Sequence, residues 1–282
     1  MAVIRMNLLS KSLGHQTNIT VILPTMTYYE MAAGKTVYQP GMRYQLLYLL
    51  HGSHGDETDY LHFTNIVRYA DEAKLAVVMP AAANSDYADY QQGPQYFTWI
   101  TEELPLVLKT LFPISVRRED TFIAGLSMGA NGAMKIACAY PDRFAAALMM
   151  SGSARSGENI AEKARRRMDF SPAMPNIADF YGDLTQFAGS SFDAYAQAKR
   201  HVREGTPLPR MFFTCGSGDD LALAGCRKAA DFLTELGCDV FYEEVPDYKH
   251  EWDFWDLSLR KAIAVWLPLR RGLILPKEEE EK

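Results

Sequence analysis

A serine flanked by glycines carries the strongest chemical signal in the sequence. Gly125–Gly129 reads Gly-Leu-Ser-Met-Gly, a G-x-S-x-G motif centred on Ser127. An apolar run, Thr121–Ala124, precedes it, and a stretch of small residues, Ala130–Ala139, follows it. This context predicts a strand, a tight turn and a helix, the arrangement that exposes a nucleophilic serine on a strained turn. The alternative is an ordinary tight turn with an inert serine.

A serine hydroxyl becomes a good nucleophile only when a base takes its proton. The chain has six histidines. In proteins with this kind of turn the order along the chain is serine, acid, histidine, and the histidine follows the last strand. His250 meets that condition, because it follows the apolar run Val240–Val245 and precedes a tryptophan-rich stretch. The alternative is a surface histidine without a catalytic role.

Two adjacent aspartates could supply the acid that orients the histidine. Asp219 and Asp220 end the loop that follows the apolar run Met211–Cys215. One of them can hold the imidazole tautomer, and the other would then cap a helix that begins near Leu221. Neighbouring side chains in an extended loop point in roughly opposite directions, and an aspartate just before a helix is a good cap. We therefore assign Asp220 to the helix and Asp219 to His250.

The negative charge that develops during attack on a carbonyl needs two backbone N–H groups. One is expected from Met128, the residue after the serine. The other is expected from the loop after the third strand, His51–Gly55. Gly52 lets the backbone of this loop turn toward the pocket, so we assign the second N–H to Ser53.

The same loop allows a metal site as an alternative. His51, His54 and Asp56 could bind zinc, although a third strong ligand at a diagnostic spacing is missing. The sequence also lacks a G-x-G-x-x-G motif and a Walker lysine, which argues against a nucleotide cofactor. We expect neither a metal nor a cofactor.

Composition and charge narrow the possible partners. The 282 residues carry a formal net charge of −6, which gives no electrostatic basis for binding nucleic acid or anionic lipid. The basic cluster Lys163–Arg167 is interpreted as a solvated helix face. No apolar stretch reaches the roughly 18 residues of a membrane span, and Arg5 interrupts the opening before any signal-peptide pattern forms. The four cysteines form no CxxC pair. A cytoplasmic enzyme with a small-molecule substrate is expected.

Strand-like and helix-like segments alternate along the chain, which predicts an α/β fold with a mostly parallel sheet covered by helices on both faces. Two early strands are expected to form an antiparallel hairpin at the sheet edge. We predict one domain over residues 1–275, with residues 153–209 as a lid or pocket wall, and a charged tail over residues 276–282. The segments are strands at 3–9, 18–23, 45–50, 75–79, 121–124, 145–150, 211–215 and 240–245 and helices at 66–73, 99–111, 128–139, 223–236 and 254–267.

Seven motifs spread over nearly the whole chain carry a family resemblance: Ser12-Leu13-Gly14, Leu47–Gly52, Ile100–Pro105, Gly125–Gly129, Tyr140–Phe144, Cys215-Gly216 and His250–Trp255. Through these motifs the chain resembles the esterase-D-like α/β-hydrolases, most closely the bacterial tributyrin-esterase type. The resemblance implies the α/β-hydrolase fold with a central sheet of about eight strands, and a serine carboxylesterase that hydrolyses acetyl to butyryl esters through an acyl-enzyme. It also allows an S-formylglutathione hydrolase or an acetyl or feruloyl esterase acting on plant polysaccharide-derived esters, and a dimer or tetramer. The family position of the acid falls on Asp219.

Overall fold

A single sheet organises the part of the chain that the computed structural model describes, which is residues 1–158, 160–162, 164–165 and 174–276. Within these residues the sheet has eight strands. Their bounds are β1 Ala2–Leu9, β2 Gln16–Leu23, β3 Gln45–Leu50, β4 Leu75–Pro80, β5 Thr121–Leu126, β6 Ala146–Met150, β7 Arg210–Gly216 and β8 Val240–Val245.

The strand order across the sheet is β1-β2-β4-β3-β5-β6-β7-β8. β1 pairs antiparallel with β2, and β2 pairs antiparallel with β4. The other five pairs, β4-β3, β3-β5, β5-β6, β6-β7 and β7-β8, are parallel. The predicted mostly parallel sheet with an antiparallel hairpin at one edge is therefore confirmed.

Helices cover both faces of this sheet. On β3, alternate residues point to opposite faces, as the pleat requires: Leu46 belongs to one core cluster and Leu47 to the other. The first cluster includes residues of the helices Met128–Ala139, Ala194–Arg203 and Leu223–Glu235, and the second includes residues of the helices Ile66–Ala73 and Trp252–Lys261. The helix bounds are α1 Tyr28–Ala32, α2 Asp59–Phe63, α3 Ile66–Ala73, α4 Tyr96–Thr98, α5 Leu104–Leu111, α6 Met128–Ala139, α7 Ile177–Tyr181, α8 Ala194–Arg203, α9 Leu223–Glu235 and α10 Trp252–Lys261.

Two predicted helices are interrupted. The helix expected over 99–111 consists of α4, a π-helical turn at Trp99–Glu103, and α5. Pro105 lies at the start of α5 and has no N–H to donate to the preceding turn, which favours such a change in winding. The helix expected over 254–267 begins earlier, at Trp252, and ends in a second π-helical turn, Ala262–Trp266.

The segment predicted as a lid or wall, residues 153–209, is described in part. It contains α7 and α8, and the side chains of Phe180 and Tyr181 in α7 form a small buried cluster with Ala88 and Phe187. The basic cluster Lys163–Arg167 lies partly outside the described residues, and all of the charged tail except Pro276 lies outside them. The division into one domain and a tail stays a prediction.

The carboxyl ends of the parallel strands define where a site can form. In open α/β sheets, ligands bind outside these ends. The loop His51–Gly55 follows β3, and Ser127 follows β5. Asp219 comes after β7, and His250 comes after β8. All the residues singled out from the sequence therefore lie at one edge of the sheet.

Candidate active site

Ser127 occupies a strained turn between β5 and α6. Its φ of 52° and ψ of −114° are rare for a residue with a side chain. Two neighbouring glycines make the turn sterically possible. A Cβ on Gly125 would lie 2.3 Å from the carbonyl carbon of Gly129, and a Cβ on Gly129 would lie 2.1 Å from the carbonyl oxygen of Leu50. The G-x-S-x-G motif is thus explained by backbone segments that touch on both sides of the serine.

A chain of hydrogen bonds joins Ser127, His250 and Asp219. His250 Nε2 lies 3.0 Å from Ser127 Oγ, and His250 Nδ1 lies 2.8 Å from Asp219 Oδ2. The ring of Trp255 packs at a right angle to the imidazole, with ring centroids 5.0 Å apart. The histidine side chain is 25% exposed, whereas the aspartate side chain is fully buried. The histidine can therefore reach a substrate while its partner is shielded from water.

The carboxylate of Asp219 uses both of its oxygens. Oδ1 accepts hydrogen bonds from the backbone N–H groups of Leu221 at 3.2 Å and Ala222 at 3.0 Å. The thiol of Cys215 donates to Oδ2 at 3.7 Å. Burial raises the pKa of Asp219, but hydrogen bonding and electrostatic attraction to His250, together with the Ala222 N–H, outweigh burial and hold the pKa below its ordinary value. The acid is therefore ionised at neutral pH.

The predicted helix cap by Asp220 is wrong. Helix α9 begins at Leu223, and its N-terminus has no side-chain cap from the preceding residue Ala222. The backbone N–H groups ahead of the helix are bound by Asp219 instead. The backbone folds into a turn here, with Leu223 N–H donating to the Asp219 carbonyl at 3.0 Å, so one aspartate reaches both the turn and His250. Asp220 is exposed.

The loop after β3 lies directly against the serine turn. A Cβ on Gly52 would be 2.5 Å from Leu126 Cδ1 and 3.6 Å from Ser127 Cβ, so a side chain at this position would have to displace the buried Leu126. Within the described residues, neither the N–H of Ser53 nor that of Met128 donates a hydrogen bond. Met128 opens α6, where first-turn N–H groups lack intrahelical acceptors and the helix dipole favours negative charge. Neither N–H group therefore has a competing acceptor in this part of the chain.

His51 anchors this loop through both ring nitrogens. Nδ1–H donates to the Gly52 carbonyl at 2.7 Å, and Nε2 accepts the Ala82 N–H at 3.0 Å. The Tyr87 hydroxyl donates to the His51 carbonyl at 2.9 Å. Burial lowers the pKa of His51, which keeps the ring neutral. Because both nitrogens of the ring are engaged, no lone pair is left for a metal ion. The geometry supports a structural role for His51 in fixing this loop and disfavours the zinc alternative.

The other proposed ligands do not complete a metal site. The backbone N–H of His54 donates to Asn84 Oδ1 at 2.8 Å, and Asp56 Oδ1 accepts from the Thr58 hydroxyl at 2.6 Å. Over the described ranges, no group of three or more histidines, cysteines, aspartates or glutamates is arranged to hold a metal ion.

In the same residues, no helix has the length and apolar character needed to cross a bilayer.

Sequence reasoning missed a buried polar network behind the serine helix. Arg155 binds both oxygens of Asp86 at 2.6 Å, and the Tyr181 hydroxyl donates to the same carboxylate at 2.8 Å. From α6, Lys135 Nζ donates to the Asp86 carbonyl at 2.7 Å and to Tyr181 at 2.6 Å. The network ties the serine helix to Arg155 and Tyr181. The polar residues Asn131 and Lys135 inside a mostly apolar helix were the signal in the sequence.

The sheet order, the strained serine turn and the hydrogen-bonded serine, histidine and aspartate define an α/β-hydrolase fold. A family model described as "putative esterase" matches residues 10–264. The chain belongs to this esterase family and is a carboxylic ester hydrolase.

Individual relatives agree with this assignment. An acetyl esterase of Caldicellulosiruptor saccharolyticus is 32% identical over 268 residues, which are 95% of this chain and 98% of that protein. Two Staphylococcus aureus structures, each 32% identical, cover 94% of this chain and 98% of their own. They are a substrate-bound fluorophosphonate-binding serine hydrolase F, with a TM-score of 0.80, and an S-formylglutathione hydrolase apoenzyme, with a TM-score of 0.77.

Proposed function

We propose that this protein is a serine carboxylesterase for short acyl esters, acetyl to butyryl. In this proposal Ser127 is the nucleophile, His250 the general base and Asp219 the acid that orients the histidine. The observation that carries the proposal is the continuous chain of hydrogen bonds from Asp219 through His250 to Ser127, at 2.8 and 3.0 Å. Three residues from three separate loops meet in the order that nucleophilic hydrolysis requires.

The geometry supports a two-step reaction. His250 Nε2 takes the proton of Ser127 as the oxygen attacks the ester carbonyl, and the N–H groups of Ser53 and Met128 bind the resulting oxyanion. His250 then gives the proton to the departing alcohol, which leaves an acyl-enzyme. A water molecule, deprotonated by His250, attacks this intermediate and releases the carboxylic acid. Asp219 stabilises the imidazolium in both steps without taking its proton.

The preference for short acyl groups rests on the residues that flank the serine. Leu126 and Met128 are bulky and nearly buried on either side of Ser127, and Trp255 closes the far side of His250. An extra methylene gains about 0.8 kcal/mol where there is room, but overpacking reverses the sign. The 32% identity to an acetyl esterase points the same way. Residues 153–209 are proposed to form the remaining wall or a lid.

A series of p-nitrophenyl esters tests this proposal. We expect kcat/KM to be highest for acyl chains of about two to four carbons and to fall as further methylenes overpack the pocket. Ser127→Ala serves as the control for spontaneous hydrolysis. An optimum at eight carbons or longer would contradict the short-acyl assignment.

An S-formylglutathione hydrolase is the second candidate, because one of the 32% identical solved structures carries that description. The same serine, histidine and aspartate would act on a thioester. Measuring kcat/KM for S-formylglutathione and for p-nitrophenyl acetate on one preparation separates the two functions. We expect the oxygen ester to be the better substrate, and a thioester advantage of about a factor of ten, equivalent to 1.4 kcal/mol, would favour the alternative.

Feruloyl esters and acetylated sugars complete the substrate panel, because an acetyl or feruloyl esterase for plant polysaccharide-derived esters uses the same chemistry.

The expected cytoplasmic location and the possible dimer or tetramer belong to this proposal as well. Cell fractionation and light scattering of the purified protein test them.

A further inference from the structure

The loop after β4, residues 81–87, has a strained backbone. Three of its residues, Ala83, Asp86 and Tyr87, have φ values of 46°, 58° and 49°. This left-handed region is unfavourable for a residue with a side chain, and such strain persists only where the surroundings enforce it. The loop contacts the loop after β3 that carries Ser53. Because strained residues cluster at functional sites, residues 81–87 are candidates for a role in catalysis.

Two positively charged side chains hold the loop in this conformation. Arg155 binds both carboxylate oxygens of Asp86 at 2.6 Å. Lys135 on α6 donates to the backbone carbonyls of Asp86 at 2.7 Å and of Tyr87 at 3.2 Å. Hydrogen bonds from a charged donor are stronger than those between neutral groups. The strained residues are therefore tied firmly to α6, the helix that follows the candidate nucleophile.

Tyr87 lies between this helix and the loop after β3. Its side chain is fully buried, and its ring lies against the backbone of Gly132 on α6, where an added Cβ would be 2.6 Å from the ring. A glycine inside a helix normally costs stability, and the close approach of the ring explains its presence here. At the other end of the side chain, the hydroxyl donates to the His51 carbonyl at 2.9 Å. Tyr87 therefore fixes the loop after β3 relative to the serine helix.

Hydrogen bonds along the loop after β3 fix the direction of the Ser53 N–H. The preceding peptide unit is the one that the tyrosine hydroxyl binds. The following peptide unit is held by Asn84, whose Oδ1 accepts the His54 N–H at 2.8 Å. Between them, the Gly52 carbonyl accepts from His51 Nδ1 at 2.7 Å. Because a trans peptide places its N–H opposite its carbonyl, the Ser53 N–H points away from the imidazole.

We propose that Tyr87 and Asn84 are positioning residues that aim the Ser53 N–H at the oxyanion. The inference rests on the proposed function, since it takes Ser53 as an oxyanion donor. Both side chains act on the peptide units around Ser53, so they affect the chemical step and not the binding of substrate. A donor stabilises the transition state only when it lies about 3 Å from the developing charge, so a small displacement lowers the rate.

Tyr87→Phe tests the inference, because it removes the hydroxyl and keeps the ring that packs on α6. Asn84→Ala is the second variant, and it changes a residue that is only partly buried. With p-nitrophenyl acetate, we expect each variant to lower kcat about tenfold to a hundredfold and to change KM less than about twofold. The inhibition constant of a boronic acid, whose adduct with serine is a tetrahedral mimic of the transition state, should rise by a similar factor.

Tyr44→Phe is the matched control. Tyr44 is also buried, and its hydroxyl also donates to a backbone carbonyl, that of Pro24, at 2.7 Å. Tyr44 precedes β3, whereas the loop that carries Ser53 follows it. Both Tyr→Phe variants should lose similar stability in urea unfolding, but Tyr44→Phe should keep wild-type kcat and boronic acid affinity. A general loss of stability would therefore not explain a loss of kcat that is confined to Tyr87→Phe.

The inference is overturned if Tyr87→Phe and Asn84→Ala keep wild-type kcat, if KM rises as much as kcat falls, or if boronic acid affinity stays unchanged. It is also overturned if Tyr44→Phe loses as much kcat as Tyr87→Phe. Circular dichroism verifies folding, and a misfolded Tyr87→Phe leaves the decision to Asn84→Ala. Failure of the proposed function gives a different result, because the wild type would then show no hydrolysis that Ser127→Ala abolishes, and the inference would fall with it.

Discussion

Replacing Asp219 with asparagine should separate the two roles that the structure gives to this carboxylate. Oδ2 faces His250 Nδ1 at 2.8 Å, and Oδ1 accepts the N–H groups of Leu221 and Ala222 at 3.2 and 3.0 Å. An asparagine side chain has one oxygen, and the two fixed backbone donors would hold it. Its NH2 group would then point at His250.

This orientation would force the wrong histidine tautomer. An NH2 group is a donor, so Nδ1 of His250 would have to accept, and the ring proton would move to Nε2. Nε2 faces Ser127 Oγ at 3.0 Å and could no longer take its proton. The same substitution in a serine protease lowers kcat about 10⁴-fold, and we expect a loss of that order here, equivalent to about 5 kcal/mol. KM should change much less, because the residues around the substrate stay in place.

We test this with the steady-state kinetics of p-nitrophenyl acetate hydrolysis, measuring kcat and KM for wild type, Asp219→Asn and Asp220→Asn. The second variant is the matched control, since Asp220 is adjacent, exposed and outside the hydrogen-bond chain. Its kcat should stay within about twofold of wild type, as is usual for a surface substitution. Circular dichroism verifies that both variants fold. The reasoning fails if Asp219→Asn keeps more than about a tenth of wild-type kcat, or if Asp220→Asn loses as much.

Three other perturbations test the surroundings of Ser127. Gly52→Ala should lower kcat about 10²-fold with little change in KM, because its Cβ would sit 2.5 Å from Cδ1 of the buried Leu126 and shift the loop that carries the proposed donor Ser53; wild-type kcat would contradict this. Dialysis against EDTA should leave kcat unchanged, since both ring nitrogens of His51 are engaged in hydrogen bonds. A loss of kcat that added zinc restores would instead support the metal alternative. Because the pKa of Asp219 is lowered in the fold, its ionised form stabilises the protein above about pH 4, and this contribution is lost as the pH falls through the folded pKa. Urea unfolding should therefore show a stability gap between wild type and Asp219→Asn that narrows as the pH falls below about 4, and a constant gap would refute the linkage.

Local patterns predicted most of the fold. Unbroken apolar runs identified the central strands because parallel strands are buried on both faces, and β3, β4 and β5 are buried throughout. The serine turn was predictable because glycines at fixed offsets are needed where backbone segments touch. The residues brought together after β5, β7 and β8 followed from chain order, since parallel strands end at one edge of the sheet.

Features set by distant contacts could not be predicted. The roles of Asp219 and Asp220 depend on a turn that lets one carboxylate reach both backbone and imidazole. The function of His51 depends on the N–H of Ala82, which comes from another loop. Arg155 and Asp86 form an ion pair although they lie 69 positions apart in the sequence, and no local pattern predicts it.

Covalent labelling with a fluorophosphonate probe tests the central claim most directly, because such probes react with a serine only when a neighbouring base activates it. Peptide mapping by mass spectrometry should place the label on Ser127, and Ser127→Ala should take up none while kcat falls about 10⁶-fold. Labelling of Ser127→Ala at wild-type level, or modification of a different residue in the wild type, would contradict the assignment of Ser127 as the nucleophile.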